Sequence, residues 1–235
     1  MKGGKNVKRK INISGPIIPN DYKWYYDLFE MDSTCGNDVK KVLNQFEDGD
    51  ELEVYINSPG GVIDVGSEIY TILREKSENL KIFITGEACS AASIIAMAGY
   101  CEMSPTALMM VHCVSTGARG NHNDLEKTAN VLKTADMALC KAYADKSGMT
   151  EEDALAMMED ETWLTANQAL EKGLIDKVMF SENQKQLMSA CNGFNLPSEE
   201  QMEQAKRMMK NASKEKDAFF MQQKLNLLKM KGETK

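Results

Sequence analysis

The sequence predicts an α/β protein, a mainly parallel sheet with helices laid against it. Three observations carry this reading. Apolar runs of strand length alternate with segments of helical periodicity at short spacing. The early runs are separated by Gly-, Pro- and Ser-bearing turns. The chain has 235 residues, 43% hydrophobic and 27% charged, enough for one substantial domain and an appendage.

Each element has its own signal. Ile11-x-Ile13, closed by Ser14-Gly15-Pro16, marks a first strand over 7–13. Residues 37–47 place Val39, Val42, Leu43 and Phe46 at helical spacing and stop at Asp48-Gly49-Asp50. A strand over 52–56 runs into Asn57-Ser58-Pro59-Gly60-Gly61. Residues 64–76 return to helix, with Val65, Ile69, Ile72 and Leu73 on one face. A strand over 80–85 ends at Gly86, and the small apolar segment 88–98 reads as a buried helix. Residues 108–111 form another strand. A long helix over 124–143 aligns Leu125, Ala129, Leu132, Ala135 and Leu139. Thr150 caps a helix whose first turn is Glu151-Glu152-Asp153. A short helix over 166–172 closes on Gly173, and 174–180 is a last strand.

Three regions follow. Residues 1–10 are a basic arm with Lys2, Lys5, Lys8, Arg9 and Lys10 and no acid. Residues 11–182 hold the αβ alternation. Residues 183–235 are an extension, helical or partly disordered. It has capping-box spacing at Ser198-x-x-Gln201 and a thin stripe of Met202, Ala205, Met208, Met209 and Ala212.

Composition excludes several classes. A net charge of −7 argues against a nucleic-acid partner. No apolar run reaches the roughly 18 residues a membrane helix needs, and the basic start lacks the apolar core of a secretion signal. Six cysteines, at 35, 89, 101, 113, 140 and 191, form no CxxC pair. They suit neither zinc nor a disulfide framework and read as reduced thiols of a cytoplasmic protein.

Chemistry concentrates at a few places. The Gly60-Gly61 pair permits φ > 0 and close approach of a backbone N–H to a bound group. Ser90 stands at a strand-to-helix junction, where unpaired N–H groups suit a developing oxyanion. His112 ends the run Met109-Met110-Val111. Local context leaves each of these open: a plain turn, a packing serine, a structural histidine. Ser93 reads as a packing residue and His122, in a polar loop, as solvated. A Ser–His pair needs a third group to orient the ring. Composition does not choose among Glu159, Asp160 and Glu161.

Four motifs resemble the ClpP family of proteolytic subunits in order and spacing. They are Tyr55-Ile56-Asn57-Ser58-Pro59-Gly60-Gly61-Val62, Gly86-x-Ala88-x-Ser90, Met110-Val111-His112, and Leu164-Thr165-Ala166-x-x-Ala169-x-x-x-Gly173-Leu174-Ile175-Asp176. The resemblance covers about residues 10–180. Residues 123–126, Tyr143-x-x-Lys146-x-Gly148 and Glu161-Thr162-Trp163 look more like the phage-encoded branch, which includes head-maturation proteases. Ala92-Ser93 and Cys113-Val114 stand where the family usually has Gly-Ala and Gln-Pro.

The resemblance implies a ClpP/crotonase-like fold with a protruding handle helix, and a serine endopeptidase working inside an oligomeric chamber. It makes Ser90 the nucleophile, His112 the base and Glu161 the acid, with Asp160 the runner-up. Gly61 and Ala91 become the oxyanion donors. No metal or organic cofactor is required. Unfolded or short polypeptides are the expected substrates, and heptameric rings or a stacked tetradecamer the expected homo-oligomer. Docking to a Clp-type AAA+ ATPase is left open, because housekeeping subunits have a longer segment before their first strand. Two alternatives stand beside this reading: a crotonase-like acyl-CoA enzyme and a non-catalytic ring or scaffold protein.

Overall fold

The structure, a computed structural model, describes residues 7–47 and 49–181. The extension over 183–235, most of the basic arm, and Cys191 lie outside the described residues. Among the described residues seven strands and seven α-helices follow one another: β1 (Lys8–Ser14), α1 (Lys23–Leu28), α2 (Gly36–Leu43), β2 (Glu51–Ser58), α3 (Ile63–Arg74), β3 (Leu80–Cys89), α4 (Ala91–Ala96), β4 (Tyr100–Met103), β5 (Leu108–Val111), α5 (His122–Ser147), α6 (Glu151–Glu159), β6 (Thr162–Thr165), α7 (Ala166–Glu171) and β7 (Lys177–Val178).

The sheet is mainly parallel, as the alternation predicts. The path β1-β2-β3-β4-β7 is parallel throughout, β5 pairs in parallel with the far end of β3, and β6 alone runs antiparallel, against β5. Buried Ile13, Leu52, Ile56, Ile82, Ile84 and Met103 line one face and meet Ile69 and Leu73 of α3 and Ile95 of α4.

β3 does not end at Gly86, as its sequence suggests, but runs on to Cys89. The register with β2 shifts between Ile56 and Ser58. At this irregularity Glu87 N–H donates to Asn57 Oδ1 at 3.2 Å, and a Cβ on Gly86 would sit 2.2 Å from that same oxygen. Any larger residue here would have to displace the carboxamide that fills the bend. The first half of β3 serves β2 and β4, and the second half serves β5. The helix expected over 88–98 accordingly begins only at Ala91.

Two further differences concern burial and size. The stripe read from Leu125 to Leu139 is not the buried face of α5. Leu125 is 45% exposed, whereas Asp136, Cys140, Tyr143 and Ala144 are buried. α5 opens in an Asn121–Asp124 capping box and ends on Gly148 at φ 79°. The last strand is only two residues long. Among the described residues no helix is long and apolar enough to cross a membrane.

Candidate active site

The bend in β3 delivers Ser90 to the end of β5. Ser90 N–H donates to Met110 O at 2.9 Å, so the ladder continues one residue past the strand. Ser90 then turns sharply, with φ 54° and ψ −126°, before α4 begins. A non-glycine residue held there costs on the order of 1–3 kcal/mol, which the ladder on one side and the buried helix on the other sustain. His112 follows β5 directly, and its Nε2 lies 2.8 Å from Ser90 Oγ. Both are half-buried. Cys89, the neighbouring thiol, is pushed up to about 12 by burial and then by the Glu87 charge. It stays protonated at neutral pH and so carries no thiolate character.

The glycine loop closes the site from β2. Ser58 Oγ donates to Gly15 O at 2.6 Å and accepts Gly60 N–H at 3.1 Å. Ile17 N–H donates to Gly60 O at 2.8 Å, and Val62 N–H donates to Ile17 O at 2.9 Å. Both groups flanking Gly61 thus point towards Ile17, so in extended backbone the Gly61 N–H points the other way. That way lies a cavity of about 60 Å³ whose wall includes Gly61, Ser90, Ala91, Ile94, His112 and Tyr143. Among the described residues neither Gly61 N–H nor Ala91 N–H donates to a protein group. Gly60 is forced by proximity: a Cβ there would lie 2.5 Å from Cys89 O and 2.7 Å from Ser90 Cβ.

The acids stand differently. β5 and β6 are antiparallel, and the last ladder pair is Val111 with Thr162. The ladder stops there: His112 directly follows β5 and Glu161 directly precedes β6, so the two adjoin the same end of the ladder. Met158 O accepts both Cys113 N–H, at 3.1 Å, and Glu161 N–H, at 3.2 Å, stapling the two segments together. Glu161 turns out of the strand at φ 48° and is exposed, as are Asp160 and Glu159. Among the described residues none of these carboxylates is hydrogen-bonded to His112. His122, as expected for a solvated residue, is exposed at the far end of α5.

Tyr143 and Asp136 near the site were given no role by the sequence, and Ser93 was read only as a packing residue. Ser93 is fully buried and hydrogen-bonded to Ser90 O and to Tyr143. Tyr143 lies on the inner face of α5. Asp136, also on that face, accepts Val114 N–H at 2.7 Å and so anchors the segment after the histidine. Burial first, and then the Asp136 charge, push the Cys113 thiol up to about 11. The available signal was the spacing Asp136, Cys140, Tyr143, Ala144, an inward stripe beside the apolar one. Among the described residues no group of three His, Cys, Asp or Glu side chains could hold a metal ion.

A strand-borne serine at a tight turn, hydrogen-bonded to a histidine beside two unpaired N–H groups, has the geometry of the serine hydrolases that work through an acyl-enzyme. Within that class the match is specific. The chain belongs to the Clp protease family, which it matches over residues 30–182. It is 32% identical over 143 residues to an ATP-dependent Clp protease proteolytic subunit of Bacteroides fragilis, covering 60% of this chain and 69% of that one. It is also 32% identical over 144 residues to the subunit of the same name from Bacteroides thetaiotaomicron, covering 60% of this chain and 65% of that one. The chain therefore spans about two thirds of the length of these relatives.

Proposed function

We propose that this chain is a serine endopeptidase in which Ser90 is the nucleophile, His112 the general base and acid, and Glu161 the group that orients the imidazole. The observation that carries the reading is the 2.8 Å contact between Ser90 Oγ and His112 Nε2 beside two unpaired N–H groups. His112 Nε2 takes the Ser90 proton as Oγ attacks a peptide carbonyl carbon. The carbonyl oxygen, now negative, accepts from Gly61 N–H and Ala91 N–H. His112 returns the proton to the leaving amine, and the C–N bond breaks. Water, deprotonated by the same imidazole, then hydrolyses the ester and frees Ser90. Glu161 adjoins β6 at the ladder end where His112 adjoins β5, which favours it over Asp160 as the orienting acid.

The substrates follow from the family: unfolded or short polypeptides, cut inside a homo-oligomeric ring. The relatives' names carry the words ATP-dependent, and a partner ATPase for this chain is part of the same proposal. The motifs shared with phage-encoded relatives favour that branch. The domain is proposed to span 11–182, with 183–235 an extension outside the catalytic unit.

A fluorophosphonate probe tests the reading. Covalent label on Ser90, lost in Ser90→Ala together with cleavage of short peptides, is the expected result. A chain that takes no label but turns over an acyl-CoA thioester would belong to the crotonase-like alternative. A Ser90→Ala chain that performs its role unchanged would make it a scaffold.

A further inference from the structure

Ser93 and Tyr143 extend the catalytic reading, on which this inference rests. Ser93 Oγ lies 2.6 Å from Ser90 O and 2.8 Å from the Tyr143 hydroxyl. A carbonyl oxygen only accepts, so the single hydroxyl proton of Ser93 goes to Ser90. Tyr143 must then donate to Ser93. Tyr143 is 1% exposed, and burial raises its phenol well above the ordinary range, so the donor keeps its proton. The direction of the chain is thereby fixed: Tyr143 O–H to Ser93 Oγ, and Ser93 O–H to Ser90 C=O. The same carbonyl also accepts Ser93 N–H at 2.9 Å and Ile94 N–H at 3.3 Å.

Ser90 C=O shares one rigid peptide plane with Ala91 N–H. A hydrogen bond received at the oxygen fixes that plane and polarises the N–H at its other end. The point matters here because Ser90, at φ 54°, has left the strand and has not yet entered the helix. Ala91 lines the cavity, and among the described residues its N–H has no protein acceptor. Ile94, Leu139 and Met158 line the same cavity as Tyr143, an apolar lining that a phenylalanine ring would suit equally well. Only the hydroxyl needs a further reason.

We propose that Tyr143 and Ser93 are positioning residues for the oxyanion donor, a two-hydroxyl relay that orients and polarises the Ser90–Ala91 peptide so that Ala91 N–H meets the charge developing on the substrate. Neither hydroxyl touches the reacting atoms. The relay acts on the transition state and leaves ground-state binding alone.

Tyr143→Phe keeps the ring and removes the hydroxyl. The expected result is a fall in kcat of about threefold to tenfold, the scale of one net hydrogen bond, with KM unchanged. A peptidyl boronate, whose tetrahedral adduct places an oxygen in the same hole, weakens by the same factor. Rates are referred to fluorophosphonate-titrated Ser90, so loss of folded protein does not enter. Ser93→Ala alone strands a buried phenol, so the second variant is Ser93→Ala with Tyr143→Phe. In a serial relay this double variant loses no more than the larger single loss, not the product of both.

An unchanged kcat in folded Tyr143→Phe overturns the proposal. So does a loss that appears in KM alone, or boronate affinity that stays constant while kcat falls. Wild-type protein that neither takes the label nor cleaves peptide overturns the catalytic reading, and the relay with it. Wild-type protein that does both, beside unaffected variants, overturns the relay alone.

Discussion

Adding one methyl group at Gly61 tests the oxyanion assignment most directly. A Cβ at this residue would fall 2.2 Å from Ile17 O and 2.8 Å from Ile17 N. Ordinary contact needs roughly 1 Å more than the shorter of these distances, so the loop must move by about that amount, away from Ile17. The φ of 149° adds backbone strain for any L side chain. Two effects follow. The bonds Ile17 N–H to Gly60 O and Val62 N–H to Ile17 O lengthen, which costs about 1–3 kcal/mol of stability for the two together. Gly61 N–H also leaves its aim by about 1 Å. Loss of one oxyanion donor elsewhere costs about 10²–10³ in kcat. Gly61→Ala should therefore lower kcat on a short fluorogenic peptide by about 10²-fold, in protein that is still folded by circular dichroism at 25 °C. Stoichiometric labelling of Ser90 in the same sample separates a misaimed donor from an absent site. A Gly61→Ala protein with kcat within twofold of wild type would refute the assignment of this N–H.

Other outcomes follow from the same geometry. Glu161→Gln should reduce kcat/KM by about 10²–10⁴-fold, the scale for losing the acid of a triad, while Asp160→Asn stays near wild type; the reverse pattern would move the role to Asp160. Ser90→Gly should be more stable than Ser90→Ala by roughly 1 kcal/mol, because glycine relieves the φ 54° turn at some cost in chain entropy; equal urea midpoints would show the turn to be unstrained. Asp50 is held below its ordinary value of 3.8, chiefly by the Arg9 guanidinium at 2.6 Å and then by Glu47 N–H. Its folded pKa is depressed, so its contribution is complete above that ordinary value and fades as pH falls through the lower folded one. Asp50→Asn should thus destabilise at neutral pH and flatten the decline of stability below about pH 4, read by thermal melts across pH.

The sequence was most legible where burial and turn chemistry agree. The alternation of Ile11, Ile13, Leu52 to Ile56 and Ile82 to Ile84 set out the parallel sheet, and Gly60-Gly61, Ser90 and His112 marked one corner of it. The fold and the serine–histidine pair that it brings together were readable because each depends on a local element end. What was not readable depends on distant pairs. β3 passes through Gly86 because a carboxamide from β2 completes its ladder, and nothing near Gly86 in the chain says so. The inner face of α5 was missed because Asp136 is charged and Tyr143 is amphipathic, while the brighter stripe runs from exposed Leu125 to a half-buried Leu139. Ser93 passed for a packing residue, since the hydroxyl that joins it to Tyr143 comes from fifty positions later in the chain. α1, with exposed Trp24, Leu28 and Phe29, lacks any inward periodicity, so no helix was read there.

The length of α5 has a thermodynamic consequence for a lone chain. Its 26 residues extend about 39 Å, yet its buried residues lie between Asp136 and Ala144. Leu125, Val131 and Met137 are 45%, 66% and 56% exposed. Turns without tertiary contacts are marginal in water, so the outer half of this helix draws little on the energy that folds the rest. In dilute monomer its amides should exchange with solvent far ahead of those near Tyr143. When another surface covers Leu125 and Val131, the free energy of association enters the helix directly, and its protection becomes a function of protein concentration. Melting of this one element then reports assembly, while melting of the sheet reports the fold.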